Sequence, residues 1–165
     1  MLAMAGCGIS TASSAGAATP VRAVSFSGKY HGDATLLINN GSVTISSVKG
    51  TGTGTLVGAS TVVGKGSAVS SAQCDPFTGT GSITGATGKI ILDVTKSKSS
   101  GCSSGEGGPV TVTFNGVAVA TGGTGKASGA SGSLKFSGTL KLAGTSGSQN
   151  GPYTVTLSGK LTVKG

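Results

Sequence analysis

Long runs in which apolar and polar residues strictly alternate constrain the fold of this chain more than any other feature. In Leu134–Leu142 and in Tyr153–Val163, every second residue is apolar or Gly, and the positions between carry only Lys, Ser and Thr. A third run of the same kind extends over Val24–Tyr30. Alternation with a period of two residues is typical of β-strands that have one buried and one solvated face. The chain is therefore predicted to be all-β.

The composition agrees with this prediction. The 165 residues include 32 Gly, 25 Ser and 22 Thr, all of which disfavour the interior of a helix. A chain so rich in small polar residues could also be a flexible linker, but linkers lack regularly placed apolar side chains. Here 36% of the residues are hydrophobic and many of them alternate with polar ones, so a folded β domain is expected.

A Gly lies midway along the apolar face of each alternating run, at Gly28, Gly138 and Gly159. Gly within a strand weakens it and often marks a sharp bend or a close approach of two backbones. Three such positions favour a sheet that curls into a single antiparallel β-barrel of about eight to ten strands, with a β-sandwich as the alternative. The other predicted strands are Asp33–Asn39, Ser42–Val48, Thr53–Val57, Thr61–Ser70, Gly88–Thr95 and Pro109–Ala120.

Two connections can also be predicted. Asn39-Asn40-Gly41 between two strands is a signal for a tight hairpin. The stretch Lys96–Gly108, rich in Ser and Gly, is predicted to be a long mobile loop.

The first 22 residues resemble a truncated signal or lipoprotein leader followed by a linker, which leaves residues 23–165 for the barrel domain. Residues 1–18 are uncharged and mostly small or apolar, like the second half of a secretory signal. Two processing sites compete. Small residues at Ala15–Ala18 suit a signal peptidase, whereas Met4-Ala5-Gly6-Cys7 resembles a bacterial lipobox that would make Cys7 the lipid attachment site. The protein is expected to be exported from a bacterial cell, and either secreted or anchored by lipid to the cell envelope.

The three Cys residues support export. Cys74 and Cys102 both lie in loop-like sequence, and a disulfide between them would leave Cys7 as the odd residue. Disulfides form and persist in oxidising compartments outside the cytosol. A metal site is not expected, because the chain has neither a Cys-x-x-Cys spacing nor a His near these Cys residues.

The net charge of +8 bears on the partners of the protein. An anionic polymer of the cell envelope is one candidate partner for a basic surface. Nucleic acid is not expected, because its binding sites usually combine Arg with stacking aromatic residues, and this chain has one Arg and six Phe and Tyr.

Residues suited to catalysis are scarce. The one local group of acid–base side chains is Tyr30, His31 and Asp33, and an imidazole and a carboxylate two residues apart on a strand could share a face at a barrel mouth. The competing interpretation is a solvated hairpin end. No nucleotide-binding motif survives inspection, because Gly79–Gly85 has the wrong spacing and leads into a β-prone segment rather than a helix. No cofactor is expected.

One sequence repeat leads to a family resemblance. The pattern Gly-Thr-Gly-x-x-x-Gly-Ala-(Ser or Thr) occurs at Gly52–Ser60, Gly79–Thr87 and Gly123–Ser131. The segment 121–132, which contains the third copy, resembles the Gly-Gly-Thr-Gly hairpin of the allene oxide cyclase and dirigent family of β-barrels. The resemblance implies an eight-stranded antiparallel barrel with an apolar cavity, often assembled as a homo-oligomer. The bulky residue that this family has within the motif is replaced here by Ala127.

Two functions follow as expectations. The first is an exported, non-enzymatic barrel that acts as a structural or binding module at the cell envelope. The alternative is a barrel like those of the cyclase and dirigent family, which acts on or binds an apolar small molecule. An open apolar interior favours the alternative, and an interior filled by side chains contradicts it.

Overall fold

The structure is a computed structural model that describes residues 20–105 and 108–165. These residues form nine β-strands and one short 3-10 helix, Lys96–Lys98, and no α-helix. The strands are β1 Val21–Asn39, β2 Ser42–Gly54, β3 Gly58–Val69, β4 Cys74–Gly85, β5 Gly88–Val94, β6 Ser100–Ser104, β7 Val110–Gly125, β8 Ser131–Leu142 and β9 Gly147–Lys164.

The strands close into an antiparallel barrel, which confirms the predicted fold class. The sheet order is β3-β2-β1-β9-β8-β7-β5-β4, and a further pairing of β3 with β4 joins its two edges. This closure excludes the sandwich alternative, because a sandwich keeps two separate sheets. The apolar face of each alternating run lies inside the barrel, and the Lys, Ser and Thr positions of β8 and β9 lie outside.

Between β4 and β7 the barrel wall consists of two short strands, β5 and β6, which follow one another along the barrel axis. β5 pairs with both neighbours towards one end of the barrel, and β6 pairs with both towards the other end. The 3-10 helix Lys96–Lys98 connects them and forms a bulge, since Thr95–Ser99 faces only two residues of β4. The prediction of a long mobile loop over Lys96–Gly108 is therefore wrong in its first two thirds.

The strands differ from the prediction in two further respects. The predicted strand Thr53–Val57 does not exist as a separate element, because β2 continues to Gly54 and the next three residues form the turn. The strand β4 was not predicted at all, since its glycines interrupt the apolar pattern. In contrast, the predicted hairpin at Asn39–Gly41 is confirmed, with positive φ at both Asn40 and Gly41, as this turn type requires.

The two ends of the barrel differ. We call the end that carries the turns β2–β3, β4–β5 and β7–β8 the closed end, because Val57, Ala127 and Ala130 from these turns are buried in the core. The three copies of the Gly-Thr-Gly repeat all lie towards this end. Gly58 in the first copy and Gly129 in the third both have a φ of +66°, whereas the corresponding residue of the second copy, Gly85, is the last residue of β4.

Candidate ligand-binding cavity

The opposite end of the barrel contains a cavity. We call it the open end; it carries the turns β1–β2, β3–β4, β6–β7 and β8–β9. The cavity has a volume of about 330 Å³, and residues of the β3–β4 and β8–β9 turns stand at its mouth. An apolar cavity of about 150 Å³ is large enough to hold benzene. The open end therefore has room for a molecule of about two to three aromatic rings.

The walls of this cavity are apolar because the inward positions of the surrounding strands are aliphatic. The buried wall residues form a cluster separate from the core of the closed end, and partly buried Ile and Val side chains from β1, β2, β3, β7 and β9 complete it. The buried members are Ala34, Leu36, Leu140, Leu142 and Tyr153.

Three Phe rings separate the cavity from the core of the closed end. Phe77, Phe114 and Phe136 all line the cavity; Phe136 belongs to the closed-end core, and Phe77 and Phe114 pack against it. The centroids of Phe77 and Phe136 are 6.0 Å apart, and those of Phe114 and Phe136 are 6.3 Å apart. Tilted rings at such separations attract each other. They form a floor, so the cavity ends partway along the barrel.

Tyr153 is the one polar side chain within the wall cluster. Burial, together with the charge of Asp33, raises the pKa of Tyr153 to about 12. Its hydroxyl is buried and has no hydrogen-bond partner among the described residues. The phenol is therefore neutral at ordinary pH and keeps a free donor.

Asp75 marks the mouth. Its carboxylate accepts hydrogen bonds from the Ser71 hydroxyl at 2.8 Å and from the backbone N–H groups of Ser71 and Ala72 at 3.1 Å. The hydroxyl of Ser71 and these backbone donors hold the pKa of Asp75 below its ordinary value. Asp75 thus orders the β3–β4 turn and places a negative charge beside the entrance.

The predicted disulfide is present beside the mouth. Cys74 and Cys102 are bonded, and they face each other in the pairing of β4 with β6. Gly101 and Ser103 of β6 line the cavity. The disulfide therefore ties one wall of the mouth to the rest of the barrel.

The structure does not bring the three candidate acid–base residues together. Tyr30 points into the closed-end core, where its hydroxyl lies 2.9 Å from that of Ser60, and burial raises its pKa. His31 and Asp33 are exposed on the outer face of the same strand. The cavity thus lacks the predicted acid–base group. Cys7, the predicted lipid site, lies outside the described residues.

The outside of the barrel is largely polar, with more basic than acidic side chains and a few exposed apolar ones such as Leu37 and Val63. Lysines lie at outward positions of six strands, β1, β2, β3, β5, β8 and β9. A shallow depression of about 400 Å³ crosses β2 to β5. In that depression Lys65 and Asp93 flank Thr80, so its charges balance. No group of three or more His, Cys, Asp or Glu suited to a metal ion occurs in residues 20–105 and 108–165. Within those ranges, no helix is long and apolar enough to cross a membrane.

Sequence reasoning missed two parts of this site. It placed Tyr153 on an inward face but gave no reason to single out its hydroxyl. It also missed β6 as a cavity wall, because five residues rich in Ser and Gly carry no alternating pattern. The position of Cys102 was the available signal, since a disulfide partner often lies on a neighbouring strand.

Comparisons of the chain with protein-family models, with curated proteins and with solved structures found no match. The resemblance to the allene oxide cyclase and dirigent family therefore stays a prediction.

Proposed function

We propose that this protein is an exported binding module that holds an apolar small molecule in the open end of its barrel. The observation that carries the proposal is the cavity of about 330 Å³ with walls of aliphatic and aromatic side chains. Sites for small molecules are concave, largely apolar and preformed, and the mouths of β-barrels commonly hold them. Of the two functions expected from the sequence, the cavity favours the second, a barrel for an apolar small molecule, and favours binding of that molecule over a reaction on it.

Binding fits the cavity better than catalysis. General acid–base chemistry requires a titratable group within hydrogen-bond reach of the substrate. Among the described lining residues, the titratable groups are the Asp75 carboxyl at the mouth and the Tyr153 phenol in the wall. The phenol has its pKa at about 12, far from the range in which a group exchanges protons readily at neutral pH.

Support for export comes from the disulfide. Cys74–Cys102 closes a sequence separation of 28 residues and would be kept reduced in most cytosols. The lipid anchor at Cys7 and an anionic polymer of the envelope as partner remain parts of the proposal that depend on the leader and on the net charge of +8.

The proposal is tested with N-phenylnaphthylamine, an uncharged dye whose fluorescence rises in apolar surroundings. We expect saturable binding to the wild-type protein. Ala68→Phe places a ring in the cavity, since Ala68 lines it, and should weaken binding at least about tenfold, which corresponds to ~1.4 kcal/mol of lost apolar contact. Ala23→Phe is the matched control, because Ala23 is exposed on the outer face of β1.

Equal dye binding by both variants would contradict the proposal. The melting temperature of each variant, measured without dye and with it, shows whether a loss of binding comes from a loss of folding. At the same dye concentration, a folded Ala68→Phe variant should show a smaller dye-dependent rise than the wild-type protein and Ala23→Phe, because stabilisation by a ligand falls as its affinity for the folded state falls.

A further inference from the structure

The buried hydroxyl of Tyr153 indicates what kind of molecule the cavity takes. Only 5% of Tyr153 is exposed, and its ring lines the cavity. Its hydroxyl is enclosed without a hydrogen-bond partner among the described residues. Leaving such a group unpaired opposes folding, so an unsatisfied buried hydroxyl in a native protein requires an explanation.

Tyr30 provides an internal comparison. Tyr30 faces Gly52 on β2, and Gly52 faces Ser60 on β3, so the side chain crosses one strand and reaches a hydroxyl on the next. Tyr153 faces Gly32 on β1, and Gly32 faces Gly50 on β2.

The two Tyr side chains thus have the same arrangement, one strand apart, but they end differently. Tyr153 reaches over β1 to Gly50, where the chain provides no side chain at all. The Ser60 hydroxyl is the hydrogen-bond acceptor for Tyr30 in the closed end, but no described residue is an acceptor for Tyr153 in the cavity wall.

The charges around the cavity restrict the ligand further. None of the described lining residues is Lys, Arg or His. Of the charged groups, Asp75 stands at the mouth and Asp33 lies on the outer face behind Tyr153. A ligand carboxylate or phosphate would enter an apolar space without a counter-charge, which is strongly unfavourable.

We infer that the cavity selects an uncharged, largely apolar molecule that carries a hydrogen-bond acceptor oxygen, such as a ketone or an ester, and that the Tyr153 hydroxyl donates to this oxygen. The inference rests on the proposed function and deepens it, since it names the ligand class. The hydroxyl is enclosed in this structure, so the ring moves slightly as the ligand enters. Side-chain adjustments of this kind are common on binding.

The test compares two compounds of nearly equal shape. Benzophenone has two rings and a carbonyl oxygen, and diphenylmethane has the two rings without it. Their affinities are measured by displacement of N-phenylnaphthylamine from the wild-type protein, Tyr153→Phe and Tyr30→Phe. Tyr30→Phe is the matched control, because it removes a buried phenol hydroxyl that does not line the cavity. Diphenylacetate serves as the charged probe.

We expect the ratio of ketone affinity to hydrocarbon affinity to fall about three- to tenfold in Tyr153→Phe, which is the range for one hydrogen bond, and to stay unchanged in Tyr30→Phe. Diphenylacetate should bind more weakly than diphenylmethane. Tyr153→Phe removes no hydrogen bond between described residues, so it is expected to fold.

Two failures can be told apart. If the dye and both uncharged compounds bind but the ratio is the same in all three proteins, this inference is wrong and the proposed function stands. If neither the dye nor the uncharged compounds bind the folded wild-type protein, the proposed function itself fails. Tighter binding of diphenylacetate than of benzophenone would also overturn the inference.

Discussion

The hydroxyl groups of Tyr30 and Ser60 lie 2.9 Å apart in the closed-end core, 30 residues apart in sequence. Ser60 in turn donates to the carbonyl of Gly58 at 3.0 Å, so its one proton is used and Tyr30 is the donor between the two hydroxyls. This short chain of hydrogen bonds ties the core to the β2–β3 turn. The hydroxyl of Tyr30 thus has a hydrogen-bond partner, whereas that of Tyr153 has none among the described residues.

Ser60→Ala should destabilise the protein by about 1–3 kcal/mol, because it leaves the buried Tyr30 hydroxyl without an acceptor. Tyr30→Phe combined with Ser60→Ala should cost less than the sum of the two single changes, since the double variant leaves no orphaned hydroxyl. Urea denaturation of the four proteins measures this coupling. Strict additivity would show that the hydrogen bond does not contribute.

Stability should decline in alkaline solution, and Tyr153 should contribute to the decline. Its pKa is raised from 10.0 to about 12 in the folded protein, so the unfolded chain loses the phenol proton first as the pH rises. The contribution of the protonated Tyr153 phenol to the free energy of unfolding is fully present below pH 10 and is lost as the pH rises towards 12. Denaturation of wild-type protein and Tyr153→Phe across this interval should show a smaller decline in the variant. Identical pH profiles would contradict the assignment.

Loss of the Cys74–Cys102 disulfide should lower the stability of the protein and let a bound molecule leave the cavity faster. Opening a loop with a sequence separation of 28 residues costs ~3–4 kcal/mol by loop-closure entropy. Because β6 forms part of the cavity wall, the Cys74→Ser, Cys102→Ser double variant should also release N-phenylnaphthylamine faster than wild type does. Stopped-flow dissociation of the dye measures this. An unchanged release rate in a destabilised variant would show that β6 does not close the cavity.

A pair of Gly substitutions tests the close packing at Gly138 on the inner face of β8. A methyl group at Gly138 would collide with the carbonyl oxygen of Thr154 and with the Phe114 ring, whereas one at Gly122 would meet only the end of Ile91 at 3.8 Å. Gly138→Ala should therefore cost at least ~1–3 kcal/mol, and Gly122→Ala should change stability little or raise it by about 0.4–1 kcal/mol. Thermal denaturation compares the two variants, and equal losses would contradict the packing described for Gly138.

The fold was predictable from the sequence because the long strands alternate strictly. Over Leu134–Leu142 of β8 and Tyr153–Val163 of β9, the inward residues are buried or half-buried and each outward one is Lys, Ser or Thr, so local pattern and tertiary burial agree. Strand β4 could not be predicted, because Gly79 and Gly81 occupy inward positions where no side chain signals burial. Their register partners on β3 are Gly66 and Gly64. The Gly residues of β4 can therefore be understood only from the pairing of β4 with β3, which the sequence of β4 alone does not show.

The alternating pattern alone could not show where in the barrel a cavity lies, and only the family resemblance implied an apolar cavity at all. The inward residues of the closed end and of the open end are alike in type, and only their distance across the barrel decides whether they meet. At the closed end, buried turn residues such as Val57 and Ala127 fill the space. At the open end the turns stand at the rim, and the interior stays partly empty. The acid–base prediction for Tyr30, His31 and Asp33 depended on side-chain direction, and alternation alone sends Tyr30 to the face opposite the other two.

Diffraction from crystals pressurised with xenon tests the central claim most directly, because xenon enters dry apolar cavities and leaves a strong peak in the electron density. The account predicts a xenon site in the open end, between the floor formed by Phe77, Phe114 and Phe136 and the ring of Tyr153. A barrel whose open end contains no xenon and is filled by side chains or by a network of ordered waters would contradict it.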